Sequence, residues 1–320
     1  MKNSEINPQE ININIDDIDV ANVTPDLDSL SETSYVSDSM ENEIPSPVSF
    51  DEDIDEDDIA ISDKKSPIVM LFGPRSSGKS MTLVRLSRYL HDNGYTVIAD
   101  KTFKSDMKYR EKCEQFIRNL DTTMALDGTP YTDFLLIKVV KHGTTICQFL
   151  EAPGEHYFNP KDVEAANFPP YMTEMIRNLN NRKIWVFITE AEWQVSNAVK
   201  KAYVKRIRNC KNILIKPQDR CLILYNKVDK KTELFENGSL HVEAAEVGMR
   251  GEYGGEGDVD IMKIFKNENP ITSLWRPYNY KFVPFCTGYY KQDKGGLKYK
   301  KSEELYPRLL WNALLKSIKG

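Results

Sequence analysis

Apolar runs and polar stretches alternate along most of this chain with two periods. Residues 68–72 (Ile-Val-Met-Leu-Phe) are apolar throughout, as in a short strand buried on both faces. Residues 81–90 place Leu83, Leu86 and Leu90 on one helical stripe. A second strand is expected at 95–99, then an amphipathic helix over 103–120 with Cys113, Phe116, Ile117 and Leu120 at i, i+3, i+4 and i+7. Residues 134–140 and 145–150 flank His142-Gly143 and predict an antiparallel hairpin. Further strands are expected at 184–188, 221–225 and 280–285, and further helices near 162–179, 192–209, 258–266 and 303–318.

Strands alternating with helices predict an α/β fold, a doubly wound, mostly parallel sheet with one antiparallel hairpin strand. Ligands of such sheets bind at the carboxyl ends of the strands. Residues 230–277 show no clear period, and Gly251-Glu252-Tyr253-Gly254-Gly255-Glu256-Gly257 reads as a flexible loop.

Charge divides the chain. Residues 1–63 hold 19 Asp and Glu against one basic residue, Lys2, a net of −18. The remainder holds 42 Lys and Arg against 29 Asp and Glu, a net of +13. The acidic segment ends in Asp51-Glu52-Asp53-Ile54-Asp55-Glu56-Asp57-Asp58. Its scattered apolar residues bury too little area to offset chain entropy, so residues 1–64 are expected to be a disordered acidic tail on a domain spanning 65–320. The tail can fold back on the basic domain, an attraction that salt would weaken.

Lys200, Lys201, Lys205, Arg206, Arg208 and Lys211 cluster on one expected helix. Without an interleaved aromatic stacking motif this reads as a solvated face, not a nucleic-acid site. No apolar run is long enough for a membrane span, and no signal pattern opens the chain. The five cysteines are odd in number and lack metal-ligand spacing, as reduced core thiols of a cytoplasmic protein would be.

Between the first strand and the first helix lies Gly73-Pro74-Arg75-Ser76-Ser77-Gly78-Lys79-Ser80, which fits G-x-x-x-x-G-K-[ST]. Strand, glycine loop and helix together make a phosphate cradle. Backbone N–H groups of Gly73, Arg75, Ser76, Ser77, Gly78, Lys79, Ser80 and Met81 face the phosphates with the helix N-terminus, Lys79 reaches the outer phosphates, and the Ser80 hydroxyl can ligand Mg²⁺. Directly after the strand at 221–225 stands Asn226-Lys227-Val228-Asp229. A carboxylate at Asp229 can accept from both the ring N–H and the exocyclic amine of guanine, a donor pair that adenine lacks. The Lys227 stem can lie across the base, and Asn226 can tie this loop to the phosphate loop.

Over roughly residues 66–318 the chain resembles the Ras-like, translation-factor-related (TRAFAC-class) GTPase superfamily, as a divergent, bacterial-type member. The resemblance implies a GTP/GDP-binding switch that uses Mg²⁺ and hydrolyses GTP. It also implies a strand-helix insertion at about 95–131 and an irregular insertion at about 230–277. The family's Asp-x-x-Gly segment corresponds to Glu151-Ala152-Pro153-Gly154, with Glu151 on the Mg²⁺ side and the Gly154 N–H toward the γ-phosphate. The position that orients the attacking water falls on Glu155, with His156 the alternative. The family's switch threonine is matched by Thr132, then Thr129, then Thr122 or Thr123. The loop that meets the guanine oxygen is matched by Cys286-Thr287.

Arg75 occupies the third position of the phosphate loop, where many relatives have glycine. Three roles stay open: it points to solvent, it stabilises transition-state charge in cis, or it blocks a partner's arginine. The extended switch segment 101–131 implies a protein effector surface. Two other classes share the phosphate loop, a P-loop ATPase or nucleotide kinase and a module that holds GTP without turning it over.

Overall fold

The computed structural model describes residues 59–120, 134–159, 168–255, 260–293 and 296–319. The acidic run and the four switch-threonine candidates Thr122, Thr123, Thr129 and Thr132 lie outside the described residues.

In chain order the elements are β1 (Ile68–Phe72), α1 (Lys79–Asp92), β2 (Thr96–Ala99), α2 (Met107–Leu120), β3 (Leu135–Lys141), β4 (Thr144–Glu151) and α3 (Gly154–Tyr157). Then come α4 (Pro170–Thr173), which widens into a π turn at Glu174–Asn178, β5 (Lys183–Glu190), α5 (Asn197–Ile213) and β6 (Arg220–Asn226). Short 3₁₀ turns at Val228–Lys230 and Thr232–Leu234 lead to β7 (Phe235–Glu236), β8 (Ser239–Leu240), α6 (Val242–Tyr253) and α7 (Ile261–Ile264). The chain continues with β9 (Lys281–Pro284), β10 (Gly288–Asp293), β11 (Gly296–Lys301) and α8 (Leu305–Lys319).

The central sheet has the order β2-β3-β4-β1-β5-β6-β9. β1 lies parallel between β4 and β5, and β6 and β9 extend the parallel set. β3 pairs antiparallel with both β4 and β2. α1 touches α2 and α8, while α5, α6 and α7 touch one another, so helices pack in two groups around the sheet. The structure is the mostly parallel α/β fold that the alternating pattern predicts. Among the described residues no helix is long and apolar enough to cross a membrane.

Local chemistry sets the boundaries. His142 (φ 50°) and Gly143 (φ 77°) both adopt the left-handed conformation that a two-residue hairpin turn between right-twisted strands requires. α5 begins five residues later than its apolar spacing suggests. Glu192 is left-handed (φ 56°), and the Ser196 hydroxyl caps the helix by accepting from the Val199 N–H at 3.3 Å.

The region 230–277, which shows no clear period in the sequence, contains α6, whose end runs into the stretch 251–257 read as a loop. Its buried stripe Ala245, Met249 and Tyr253 repeats every four residues, but Gly248 and Gly251 lower the helical signal of the segment. The basic face of α5 also differs from the reading. Arg206 is buried, its Nε donating to the Tyr157 carbonyl at 3.0 Å and its guanidinium lying over the Phe168 ring.

Under β1 the core is aromatic. Phe72 packs against Tyr157, Phe187, Trp185 and Tyr203 with ring centroids 5.0–6.4 Å apart. The Tyr203 hydroxyl lies within hydrogen-bond reach of the Phe72 and Ile188 carbonyls, at 3.2 and 2.9 Å. It fastens the carboxyl ends of β1 and β5 together just below the glycine loop. All five cysteines are buried and unpaired by disulfides.

Candidate functional site

Each motif picked out from the sequence leaves the same edge of the sheet. The glycine loop follows β1, Glu151 ends β4, Asn226 ends β6, and Cys286-Thr287 follows β9. Parallel strands impose this convergence, because their carboxyl ends share one edge.

The loop is shaped to admit backbone and nothing else. Gly78, the N-cap of α1, is left-handed (φ 87°), and a Cβ there would stand 2.4 Å from the Asn226 amide nitrogen. A Cβ on Gly73 would meet the Ser77 hydroxyl at 2.6 Å. That hydroxyl is buried and has no hydrogen-bond partner among the described residues. The Lys79 ammonium is buried and donates to the loop's own carbonyls, Pro74 at 2.8 Å and Gly73 at 3.1 Å. Burial lowers its pKa to about 8, against the pull of Glu151, Glu155 and Glu190.

Gly154 lies directly on this loop. A Cβ there would stand 2.2 Å from the Arg75 nitrogen and 2.5 Å from the Pro74 carbonyl carbon. Glu155, next along, pairs with Arg75 at 3.4 Å, an exposed guanidinium over a partly covered carboxylate. His156 turns the other way. It is buried, its Nδ1 is 2.8 Å from the Tyr171 hydroxyl, and burial with Lys79 nearby lowers its pKa to about 4. α3 is therefore held inward by Tyr171 and by Arg206, while its first turn faces the loop.

The second loop is tied to the first. The Asn226 side-chain amide donates to the Ser77 carbonyl at 2.9 Å, and its oxygen accepts from the Lys227 N–H at 2.8 Å. The Lys227 ammonium donates to the Ser76 carbonyl at 3.1 Å, so its stem spans from one loop to the other. Asp229 sits exposed in the 3₁₀ turn, its carboxylate accepting from the Cys286 thiol. Desolvation, followed by the Asp229 charge, holds that thiol well above its usual range. Thr287 borders Gly78, and its carbonyl accepts from the Tyr299 hydroxyl at the base of the β10–β11 hairpin.

The donor set fits a phosphate chain. The Gly73–Ser80 backbone and the Lys79 ammonium offer donors to a phosphate chain, while the Ser77 hydroxyl is buried against Gly73. Against them stand three carboxylates, Glu151, Glu155 and Glu190, close enough to act on Lys79. A polyphosphate entering beside these carboxylates calls for positive charge beyond Lys79, which Mg²⁺ held by Ser80 and Glu151 would supply.

Glu190 is the member that motif reading misses. It ends β5 beside the loop, is buried, and pairs with the Lys227 ammonium. The available signal is a charged residue two positions after the apolar run 184–188.

No protein-family model matches the chain, and no curated protein matches it by sequence. Among solved structures it is similar to Roco2 RocCORdC of Methanosarcina barkeri, bound to GDP, at 13% identity and a TM-score of 0.32, covering 79% of this chain and 50% of that one. It is also similar to the S. cerevisiae Ski7 GTPase-like domain, bound to GTP, at 13% identity and a TM-score of 0.35, covering 78% and 50%. The chain thus spans half the length of these two structures. Its fold class stands on its own strand order, and its site on the geometry above.

Proposed function

We propose that the chain is a guanine-nucleotide-binding protein that works as a Mg²⁺-dependent GTP/GDP switch, with residues 65–320 as its nucleotide domain. The observation that carries this reading is the Asn226–Ser77 bond. It joins a base-reading loop to a phosphate loop at one sheet edge, with Asp229 and Cys286-Thr287 beside them. Asp229 reads the guanine N–H pair, Lys79 and the loop amides hold phosphates, Ser80 and Glu151 face Mg²⁺, and Gly154 senses the γ-phosphate. Titration with GTP, GDP and ATP, with and without Mg²⁺, tests it. Preference for ATP would support the ATPase or nucleotide-kinase reading instead.

Turnover is proposed to be slow or dependent on a partner. Glu155 is paired with Arg75 and His156 is turned into the core, so neither is poised for water. The same observation favours a second reading, a module that holds GTP with little intrinsic hydrolysis; single-turnover cleavage of bound GTP separates the two. Thr132 is proposed as the switch threonine and segment 101–131 as the effector surface of a cytoplasmic protein.

The acidic tail is proposed to lie against the basic domain. Ile59 bridges to Lys104, and the Ala60 N–H donates to the Phe103 carbonyl at 2.9 Å, so the chain enters the fold beside Lys104, Lys108 and Lys112. Burial and the charges of Lys104 and Lys108 act together to lower the Lys112 pKa, although Asp106 opposes them. Deleting residues 1–58 should speed nucleotide exchange at low salt and leave it unchanged at high salt; equal rates at both count against the contact.

A further inference from the structure

Two consecutive residues at the end of α6, Glu252 and Tyr253, hold the residues that flank and support the base-reading loop. The Tyr253 hydroxyl is buried and meets both backbone groups of Glu190. It accepts from the N–H at 2.9 Å and donates to the carbonyl at 3.0 Å. The Glu190 carboxylate in turn holds the Lys227 ammonium, which also donates to Ser76 of the phosphate loop. Glu252 pairs with Lys231 at 2.5 Å and accepts from the Tyr225 hydroxyl at 3.1 Å. Lys231 closes the 3₁₀ turn that carries Asp229, its N–H donating to the Val228 carbonyl at 3.0 Å.

Both side chains assigned to the base are thus braced by α6. Lys227 is braced through Glu190 and Tyr253, and Asp229 through Lys231 and Glu252. A buried carboxylate is costly unless a cation is fixed beside it, so Glu190 and Lys227 specify each other's position. Burial raises the Glu190 pKa and Lys227 opposes that rise, as expected for an ion pair kept in a dry site. Lys227 is itself left-handed (φ 60°), a backbone state that persists only when its surroundings hold it.

We propose that α6 is a clamp that sets how long the guanine nucleotide stays bound, with Glu190 and Tyr253 as the positioning residues that transmit it to Lys227. This rests on the guanine reading above and adds to it a control point outside the phosphate and base motifs. Distortion of α6 would loosen Lys227 and Asp229 together, at the cost of one bond to the phosphate loop, and would leave the Lys79 contacts to that loop in place.

The test follows release of a fluorescent GDP from the full chain, alongside binding of inorganic pyrophosphate and the thermal midpoint. Glu190→Gln should speed GDP release about tenfold or more, and Tyr253→Phe by several-fold. The double variant should release GDP more slowly than the product of the two single fold-changes, because the two sites are coupled. Pyrophosphate binding should be unchanged in Tyr253→Phe and no weaker in Glu190→Gln, which removes one of the carboxylates acting on Lys79. In the wild-type chain, GDP should slow hydrogen exchange across α6, a readout that does not depend on any variant folding. Wild-type release rates in both variants, equal loss of pyrophosphate binding, or α6 exchange indifferent to GDP would overturn the clamp. A wild-type chain that binds no GDP would overturn the guanine reading, and the clamp with it.

Discussion

Gly154 and Arg75 touch through their backbones: a Cβ on Gly154 would lie 2.2 Å from the Arg75 nitrogen. The strand-end segment that begins at Glu151 and the phosphate loop are packed with no room for a side chain between them. Backbone cannot retreat as the tip of a side chain can. Gly154→Ala should therefore cost about 1–3 kcal/mol in urea unfolding and remove any preference for a GTP analogue over GDP. Unchanged stability with an unchanged preference would show that the two segments part easily.

The next pair along the same contact is Arg75 with Glu155. The ion pair is too exposed to matter much for stability. Its expected effect is on chemistry, because it holds the carboxylate nearest to the proposed water position. Arg75→Ala should change the single-turnover rate of GTP cleavage at equal affinity, and an unchanged rate would return Arg75 to the solvent-facing role.

Asp229 accepts two donors in the proposed complex with guanine. Asp229→Asn presents one donor and one acceptor instead, which suits the 2-oxo group of xanthine. GTP affinity should fall by roughly 10–100-fold while xanthosine triphosphate gains, read by competition binding. Equal loss for both nucleotides would place Asp229 outside base recognition.

Lys79 carries a sign that can be checked. Its pKa is lowered to about 8 by burial, and phosphates beside it would restore the charged form. Binding above pH 8 must then take up a proton, so affinity should be flat below about pH 7 and fall as pH rises through 8. Calorimetry in buffers of different ionisation enthalpy measures the uptake; none at about pH 8.5 would contradict it.

His156 sets a stability window. Its pKa is lowered from 6.5 to about 4 in the fold. As pH falls below 6.5 the unfolded chain takes the proton first, so stability is full above 6.5 and lost progressively down to 4. The loss is about 3 kcal/mol at most. His156→Gln should flatten that part of the unfolding curve; a difference between wild type and variant that does not vary with pH would refute it.

The sequence made β1, the glycine loop and α1 legible because an all-apolar strand, fixed glycines and a 3.6-residue stripe are local signals. His142-Gly143 was legible for the same reason. α6 was not, since Gly248 and Gly251 interrupt its signal and only the packing of Ala245, Met249 and Tyr253 makes it a helix. The inward turn of His156 depends on Tyr171, fifteen residues away, and Arg206 looked like surface until Tyr157 and Phe168 came to meet it. Glu190 belongs to no motif; its role appears only when β5 and β6 lie side by side and bring it to Lys227. The switch threonine stays an expectation, since its candidates lie outside the described residues.

The central claim is that one loop holds phosphates and the other reads guanine. Isothermal titration of the full chain with GTP, GDP and ATP, each with and without Mg²⁺, tests it most directly. The account predicts binding of GTP and GDP, strengthened by Mg²⁺ for GTP, and at least about 100-fold weaker binding of ATP. Equal affinity for ATP and GTP, or no binding of either, would contradict it.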